Sequence, residues 1–207
     1  MWLLIALIAA ALAEDVRDLA NAWKRMHNEA VDLHNAGDDE AALALAREAL
    51  RLAPSGQDTR TLILVAEIAG EQKQYIEALN ALDQLAEREK VPWGVFYNGA
   101  ITARVGGYPA SAYRYAREAL ARTQDQQALV APVYVSTAMD IAVTDKVLLV
   151  KAVEGSALIP DSEELYLRAD LVRVLMSEGR CADATAVAAR LPEDPERAER
   201  LSACVTR

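Results

Sequence analysis

The sequence predicts an all-α fold of stacked helical hairpins, and three observations lead to this prediction. The 207-residue chain is 53% hydrophobic, rich in alanine and leucine, and contains a single phenylalanine, which is a composition of helix formers. The run Ala-Arg-Glu-Ala-Leu occurs at 46–50 and again at 116–120, each time nine residues after a glycine. Small residues and prolines also recur at regular intervals, which indicates an internal repeat.

The first repeat unit defines the interval. Its small residues and closing proline are Ala30, Gly37, Ala42, Ala49 and Pro54, which are separated by steps of 7, 5, 7 and 5 residues. A shift of 70 residues gives a matching set, namely Ala100, Gly107, Ala112 and Ala119. Because 70 is twice about 35, the chain repeats a unit of 34 to 36 residues.

Further copies fill the rest of the chain. The second copy contains Ala66, Tyr75, Ala78, Leu82 and Pro92, and the fifth contains Val172, Gly179, Ala184, Ala188 and Pro192. The fourth copy, residues 126–160, is degenerate, since Leu148 and Gly155 stand where alanines are expected.

This pattern resembles the tetratricopeptide repeat (TPR), a 34-residue helix–turn–helix unit, over nearly all of residues 20–192. The resemblance implies a right-handed α-solenoid of about five TPR-like hairpins followed by a C-terminal capping helix. In each unit a first helix, A, packs against a second helix, B, and small residues are needed where the two axes cross. Glycines after the A helices suit left-handed helix caps. A different helical repeat of similar length is the alternative.

The repeat assigns helices and domains. The helices are expected at 15–35, 39–52, 58–71, 74–89, 94–105, 109–122, 126–141, 145–157, 161–178, 181–190 and 194–206. The expected domains are a signal peptide or hydrophobic segment at 1–13, the repeat array at 14–192 and the capping helix at 193–207.

The N-terminal segment is typical of a secretory signal. Residues 2–13 are apolar and end in Ala-Leu-Ala, and charge begins at Glu14, so cleavage after Ala13 is expected. Twelve helical residues reach only about 18 Å, so this segment is too short for a stable membrane span. No stable span is expected in the chain that remains after leader cleavage either. No lysine or arginine precedes this run, so either the α-amino group is its only positive charge or the true start lies upstream. An uncleaved N-terminal helix is the alternative to export. The sequence therefore predicts an exported protein, periplasmic or extracellular.

The repeat brings the two cysteines together. Cys181 would begin the B helix of the last unit, and Cys204 would end the following helix. Since consecutive helices run antiparallel, both thiols would lie at the same end of a hairpin, which predicts a disulfide. Two unrelated buried thiols are the alternative.

The sequence offers little for catalysis, cofactors or metals. A net charge of −9 disfavours nucleic-acid binding. His27 and His34 are seven residues apart on one helix, about 10.5 Å along its axis, which is too far to share one zinc ion. The acidic runs at 38–40 and 163–164 lie at expected helix starts, where carboxylates favourably meet the helix dipole. We therefore predict no catalytic residue, no cofactor and no metal ligand.

The resemblance implies that the A helices form an inner wall that binds an extended peptide or a partner helix. The corresponding residues are Lys24, His27, His34, Asn35, Arg60, Glu67, Tyr97, Arg104, Thr137, Asp140, Tyr166 and Arg173. Among the nearby aromatic residues, Phe96 is expected in the core, whereas Trp93 and Tyr97 either pack in the core or point inward.

These residues predict a non-enzymatic protein-interaction scaffold of the cell envelope. The alternatives are a non-catalytic subunit or regulator of an envelope enzyme, and an architectural module that associates with itself. The inner-wall residues also have a simpler explanation, in which scattered polar side chains only keep an open groove hydrated.

Overall fold

A computed structural model describes residues 21–54, 56–142 and 144–205, and within these ranges all regular secondary structure is α-helical. The first helix, α1, is described over 21–35. The others are α2 (Asp39–Leu52), α3 (Thr59–Glu71), α4 (Tyr75–Ala86), α5 (Trp93–Val105), α6 (Pro109–Arg122), α7 (Gln127–Ala142), α8 (Leu148–Ser156), α9 (Leu165–Ser177), α10 (Cys181–Ala188) and α11 (Pro195–Val205). The predicted all-α fold is confirmed.

The helices form two compact units, Met1–Val91 and Pro92–Arg207. Unit 1 contains the hairpins α1–α2 and α3–α4, and unit 2 contains α5–α6, α7–α8 and α9–α10, followed by α11. Within each unit, every hairpin packs on the next one in the chain. The predicted stacking of successive hairpins is therefore present in both units.

The alanines predicted at the helix crossings are buried. Ala30, Ala42, Ala78, Ala100 and Ala112 are fully buried. Since each of them presents only a methyl group, the two helices of a hairpin can approach closely.

The degenerate fourth hairpin, α7–α8, uses a glycine for the same purpose. Tyr134 of α7 is buried, and its ring lies directly against the backbone of Gly155 in α8. A Cβ atom at Gly155 would lie 2.7 Å from Cδ1 of Tyr134 and 3.0 Å from Cγ2 of Val135. The larger side chain on one helix thus requires the smallest residue on the other.

Four A helices end in the same turn. After α1, the N–H of Asp38 donates to the carbonyl of Leu33 at 2.9 Å, around Gly37 with φ 83°. This is the Schellman cap that the glycines predicted, and it recurs at Gly107 and Gly179. After α3 the same position is occupied by Lys73, whose φ of 61° is left-handed although the residue has a side chain.

Helices α4, α8 and α9 are each at least four residues shorter than the sequence predicted, and the structure gives a reason for α4 and α9. Helix α4 ends at Ala86 rather than at 89, and Arg88 instead donates to Asp58 at 2.6 Å and to the Thr59 hydroxyl at 2.7 Å. Helix α9 begins at Leu165 rather than at 161, because residue 164 adopts a left-handed conformation (φ 52°) that interrupts helical geometry. The carboxylate of Glu164 does not cap α9, contrary to the capping interpretation.

A buried arginine closes the end of the α7–α8 hairpin. Arg168 is 1% exposed, and its guanidinium donates to the carbonyl oxygens of Ile159, Pro160 and Glu163. Arg190 donates to the same Ile159 carbonyl at 2.9 Å. Burial and the neighbouring Arg190 lower the pKa of Arg168 from its ordinary value. These guanidinium groups supply hydrogen-bond donors to backbone carbonyls of the loop between α8 and α9.

The predicted disulfide is present between Cys181 and Cys204, whose Cα atoms are 5.6 Å apart. It joins the start of α10 to the end of α11, a helix in which no residue is fully buried. The predicted leader at 1–13 lies outside the described residues. Within the described part, no helix has the length and apolar character needed to cross a membrane.

Candidate functional site

The A helices of both units carry the predicted binding residues. We call the residues on α1 and α3 the unit 1 surface, namely Lys24, His27, His34, Asn35, Arg60 and Glu67. We call those on α5, α7 and α9 the unit 2 surface, namely Tyr97, Arg104, Asp140, Tyr166 and Arg173.

A histidine joins the two A helices of unit 1. The Nδ1 atom of His27 on α1 lies 3.2 Å from the hydroxyl oxygen of Thr61 on α3. Burial, followed by the positive charge of Arg60, lowers the pKa of His27 below its ordinary value of 6.5. The imidazole is therefore neutral at pH 7. It links the neighbouring helices α1 and α3 and also presents a polar group on this surface.

The opposite end of α1 carries a histidine of different character. His34 Nδ1 donates to Asp39 at the start of α2, with 2.7 Å between Nδ1 and Oδ1. This hydrogen bond, together with the negative charges of Asp39, Glu71 and Glu67, raises the pKa of His34. Ligand atoms of His34, Asp39 and Glu71 lie within 4.8 Å of one another, so this cluster has the composition and spacing to hold a metal ion.

The remaining residues of the unit 1 surface are exposed. Asn35, Arg60 and Glu67 present their side chains to solvent, and the Lys24 ammonium lies 5.6 Å from the ring centroid of Trp23. These groups supply an amide, two cations and a carboxylate for hydrogen bonding.

An ion pair joins the A helices of unit 2. The Nε atom of Arg104 on α5 donates to the carboxylate of Asp140 on α7 at 2.9 Å. Both side chains are exposed, by 50% and 37%, so the pair adds little to stability. A ligand with its own charged or polar group can therefore replace either residue in this ion pair at a small cost in free energy.

Aromatic groups flank this ion pair along the chain. Tyr97 is half-buried, and its ring packs edge-on against Trp93 with 6.0 Å between centroids. Phe96 is fully buried, as predicted. On α9, Tyr166 is 91% exposed, while Arg173 donates to Asp170 at 2.9 Å. Tyrosines that are partly or wholly exposed provide flat contact area with a hydrogen-bonding end.

Thr137 does not belong to the unit 2 surface, which corrects the sequence assignment. Its side chain is fully buried, and its hydroxyl donates to the carbonyl of Val133 at 2.8 Å. A threonine inside a helix can satisfy its hydroxyl on the preceding turn in this way, so the repeat position alone did not decide its exposure.

Two residues that matter to the unit 1 surface were missed. Asp39 was assigned only to the helix start, and Glu71 was not singled out. Glu71 follows His34 by 37 residues, about one repeat, and this spacing was the signal that could have paired them.

Solved structures provide the comparison. No protein-family model and no curated protein matches the sequence. YrrB, a TPR protein with an unusual peptide-binding site, superposes with a TM-score of 0.60 at 15% identity, over 80% of this chain and 82% of that chain. A TPR protein from Parabacteroides merdae gives 0.58 at 13% identity, over 90% and 73% of the respective chains. One from Bacteroides fragilis gives 0.53 at 16% identity, over 89% and 84%.

At sequence identities of 13–16%, these matches show that the backbones follow a similar path. The matches cover most of this chain, and they agree with the buried crossing alanines and the repeated helix caps. The chain has the tetratricopeptide-repeat fold, an α-solenoid of helical hairpins.

Proposed function

We propose that the chain is a non-enzymatic interaction module that binds an extended peptide or a partner protein through its A-helix surfaces. The observation that carries this proposal is the exposure of hydrogen-bonding side chains on successive A helices, one repeat apart, as for Arg104 and Asp140. A ligand that crosses several repeats can contact one such side chain on each A helix.

The character of these residues supports a polypeptide ligand. Arginine and tyrosine are enriched in protein interfaces, and both surfaces contain arginine while unit 2 also has tyrosine. Amide and guanidinium groups match the carbonyls and amides of an extended main chain. The likeness to YrrB, which has a peptide-binding site, adds fold-level support.

We further propose that the module works in the cell envelope. A disulfide between Cys181 and Cys204 is compatible with an exported protein, because such bonds persist in oxidising compartments. The apolar segment at 2–13 agrees with export. Sequencing the N-terminus of the mature protein tests this, since a chain that still begins at Met1 would contradict cleavage after Ala13.

Photo-crosslinking in cells tests the binding surface. A photoreactive amino acid at Tyr166, which is 91% exposed on an A helix, should crosslink to a defined partner. The matched control is Arg117 on α6, a B helix, where the side chain is 60% exposed. Equal crosslinking from both positions would contradict an A-helix site.

Charge reversal then measures the contribution of the arginines, using the crosslinked partner. The double variant Arg60→Glu/Arg104→Glu should weaken binding by about tenfold or more, because both cations lie on A-helix surfaces. Arg51→Glu/Arg117→Glu on the B helices α2 and α6 makes the same change in net charge and should leave affinity unchanged. Circular dichroism controls for folding. Unchanged affinity in the first variant would place the partner elsewhere.

A further inference from the structure

We propose that His34, Asp39 and Glu71 bind one divalent transition-metal ion, with Zn²⁺ the best fit. The three residues come from α1, α2 and α3, and each offers one ligand atom. This site goes beyond peptide binding, since it needs no partner and lies entirely within unit 1.

The separations suit a single ion. Two ligand atoms on a tetrahedral zinc ion, each about 2.0–2.1 Å from the metal, lie about 3.3 Å apart. Here Nδ1 of His34 and Oδ1 of Asp39 are 2.7 Å apart, and all the ligand atoms lie within 4.8 Å of one another. Small side-chain rotations therefore bring the three atoms onto one ion without moving the helices.

The backbone positions of the ligands are fixed. His34 lies in the last turn of α1, Asp39 is the first residue of α2, and Glu71 is the last residue of α3. The turn between the first two is closed by the hydrogen bond from Asp38 N–H to the Leu33 carbonyl at 2.9 Å. Ligands held at helix ends by such a turn lose less freedom on binding than ligands on a long loop.

The local charge favours a cation. Glu67 adds a third carboxylate near His34. In the part of the chain that the structure describes, neither Asp39 nor Glu71 forms an ion pair with a lysine or an arginine. Their negative charge is therefore available to a metal ion.

The ligand types select the class of metal. Imidazole nitrogen with carboxylate oxygen suits zinc and similar borderline ions, whereas Mg²⁺ and Ca²⁺ prefer shells made of oxygen alone. Three protein ligands leave the fourth tetrahedral position to water, so the ion would be reachable from solvent.

Isothermal titration of the untagged full chain with zinc chloride tests the site. The wild type should bind one Zn²⁺, and His34→Gln should weaken binding at least tenfold, because even the loss of a residue that only supports a ligand costs 10- to 100-fold. Magnesium chloride at the same concentrations should give no saturable binding.

The carboxylates need their own comparison. Asp39→Asn and Glu71→Gln should each weaken zinc binding, whereas Asp38→Asn, which removes a neighbouring charge but keeps a side chain able to cap α2, should not. Zinc should also raise the thermal midpoint of the wild type and not that of His34→Gln, because an ion that binds only the folded state stabilises it.

Three results would overturn the proposal. The first is a wild-type chain that does not bind zinc. The second is a His34→Gln variant, folded by circular dichroism, that binds as tightly as the wild type. The third is an equal loss in Asp38→Asn, which would indicate unspecific attraction to the acidic surface.

Discussion

Replacing Gly155 by alanine should destabilise the protein, although the repeat pattern favours alanine at this position. The equivalent positions in the first and third sequence repeats are occupied by the buried residues Ala49 and Ala119. An added methyl group at Gly155 would lie 2.7 Å from a ring carbon of Tyr134, whereas carbon atoms normally approach to about 3.5–4.0 Å. The Tyr134 ring is buried, and its hydroxyl lies 3.3 Å from that of Tyr113, so it cannot turn aside without losing contacts.

Two opposing effects set the magnitude. Overpacking a buried site costs about 1–3 kcal/mol, and the size of this overlap places the cost near the upper end. Replacing a glycine by alanine within a helix by itself stabilises the helix by about 1 kcal/mol. The net loss is about 1–2 kcal/mol, which corresponds to a fall of about 3–6 °C in the thermal midpoint for a chain of this size.

Thermal unfolding followed by circular dichroism measures this change, with Gly94→Ala in α5 as the matched control. A Cβ at Gly94 meets no atom within 4 Å, so that variant should be as stable as the wild type or slightly more stable. In a Tyr134→Leu background the cost of Gly155→Ala should shrink, because the obstructing ring is gone. A Gly155→Ala protein that melts at or above the wild-type temperature would refute the reasoning.

Lys73→Gly should raise the free energy of unfolding by about 0.5–1 kcal/mol, because a residue with a Cβ pays more than glycine does to adopt a left-handed backbone conformation. Denaturant titration measures this change, and a less stable variant would contradict the assignment of strain to Lys73. Arg168→Ala should cost about 2–4 kcal/mol, because it removes a fully buried side chain and its hydrogen bonds to carbonyls such as that of Glu163. Arg173→Ala on the exposed side of the same helix should change stability by at most about 0.5 kcal/mol, and comparable losses in both variants would indicate that the buried arginine contributes little. The Arg47 guanidinium lowers the pKa of Glu77 below its ordinary value of 4.5, so its stabilising effect is present above about pH 4.5 and is lost as the pH falls through the lower folded value. Glu77→Gln should therefore be less stable than the wild type by about 0.5 kcal/mol at pH 7, and this difference should shrink as the pH falls below about 4.5. A difference in stability that stays constant with pH would argue against ionisation as the cause.

Features that depend on one residue type at a fixed spacing were predictable from the sequence. Crossing alanines such as Ala30 and Ala112 are buried as expected, and the glycines at 37, 107 and 179 end their helices in left-handed turns. The disulfide was also predictable, because its geometry follows from the antiparallel order of α10 and α11. In these cases the local chemistry and the repeat indicate the same structure.

Features that depend on how neighbouring helices pack against one another were not predictable. The same left-handed turn formed at Lys73 although no glycine marks it, since the surrounding fold overrides the local preference. The fit of Gly155 to Tyr134, and the cluster of His34 with Glu71, join side chains 21 and 37 residues apart whose orientation depends on helix rotation. Thr137 was misplaced for the same reason, because a small rotation of α7 decides between surface and core.

The bond between Cys181 and Cys204 makes the C-terminal boundary of the array depend on redox conditions. Helix α11 buries no residue fully, so the covalent link, worth about 3 kcal/mol for 23 residues in the chain-entropy model, is a large part of what retains it. A thiol reductant should therefore release α11 and uncover Ala188 of α10, which lines a groove together with Ala198 and Leu201 of α11. Limited proteolysis should then cut within 193–205 only after reduction, and identical cleavage before and after would show that packing alone retains the helix.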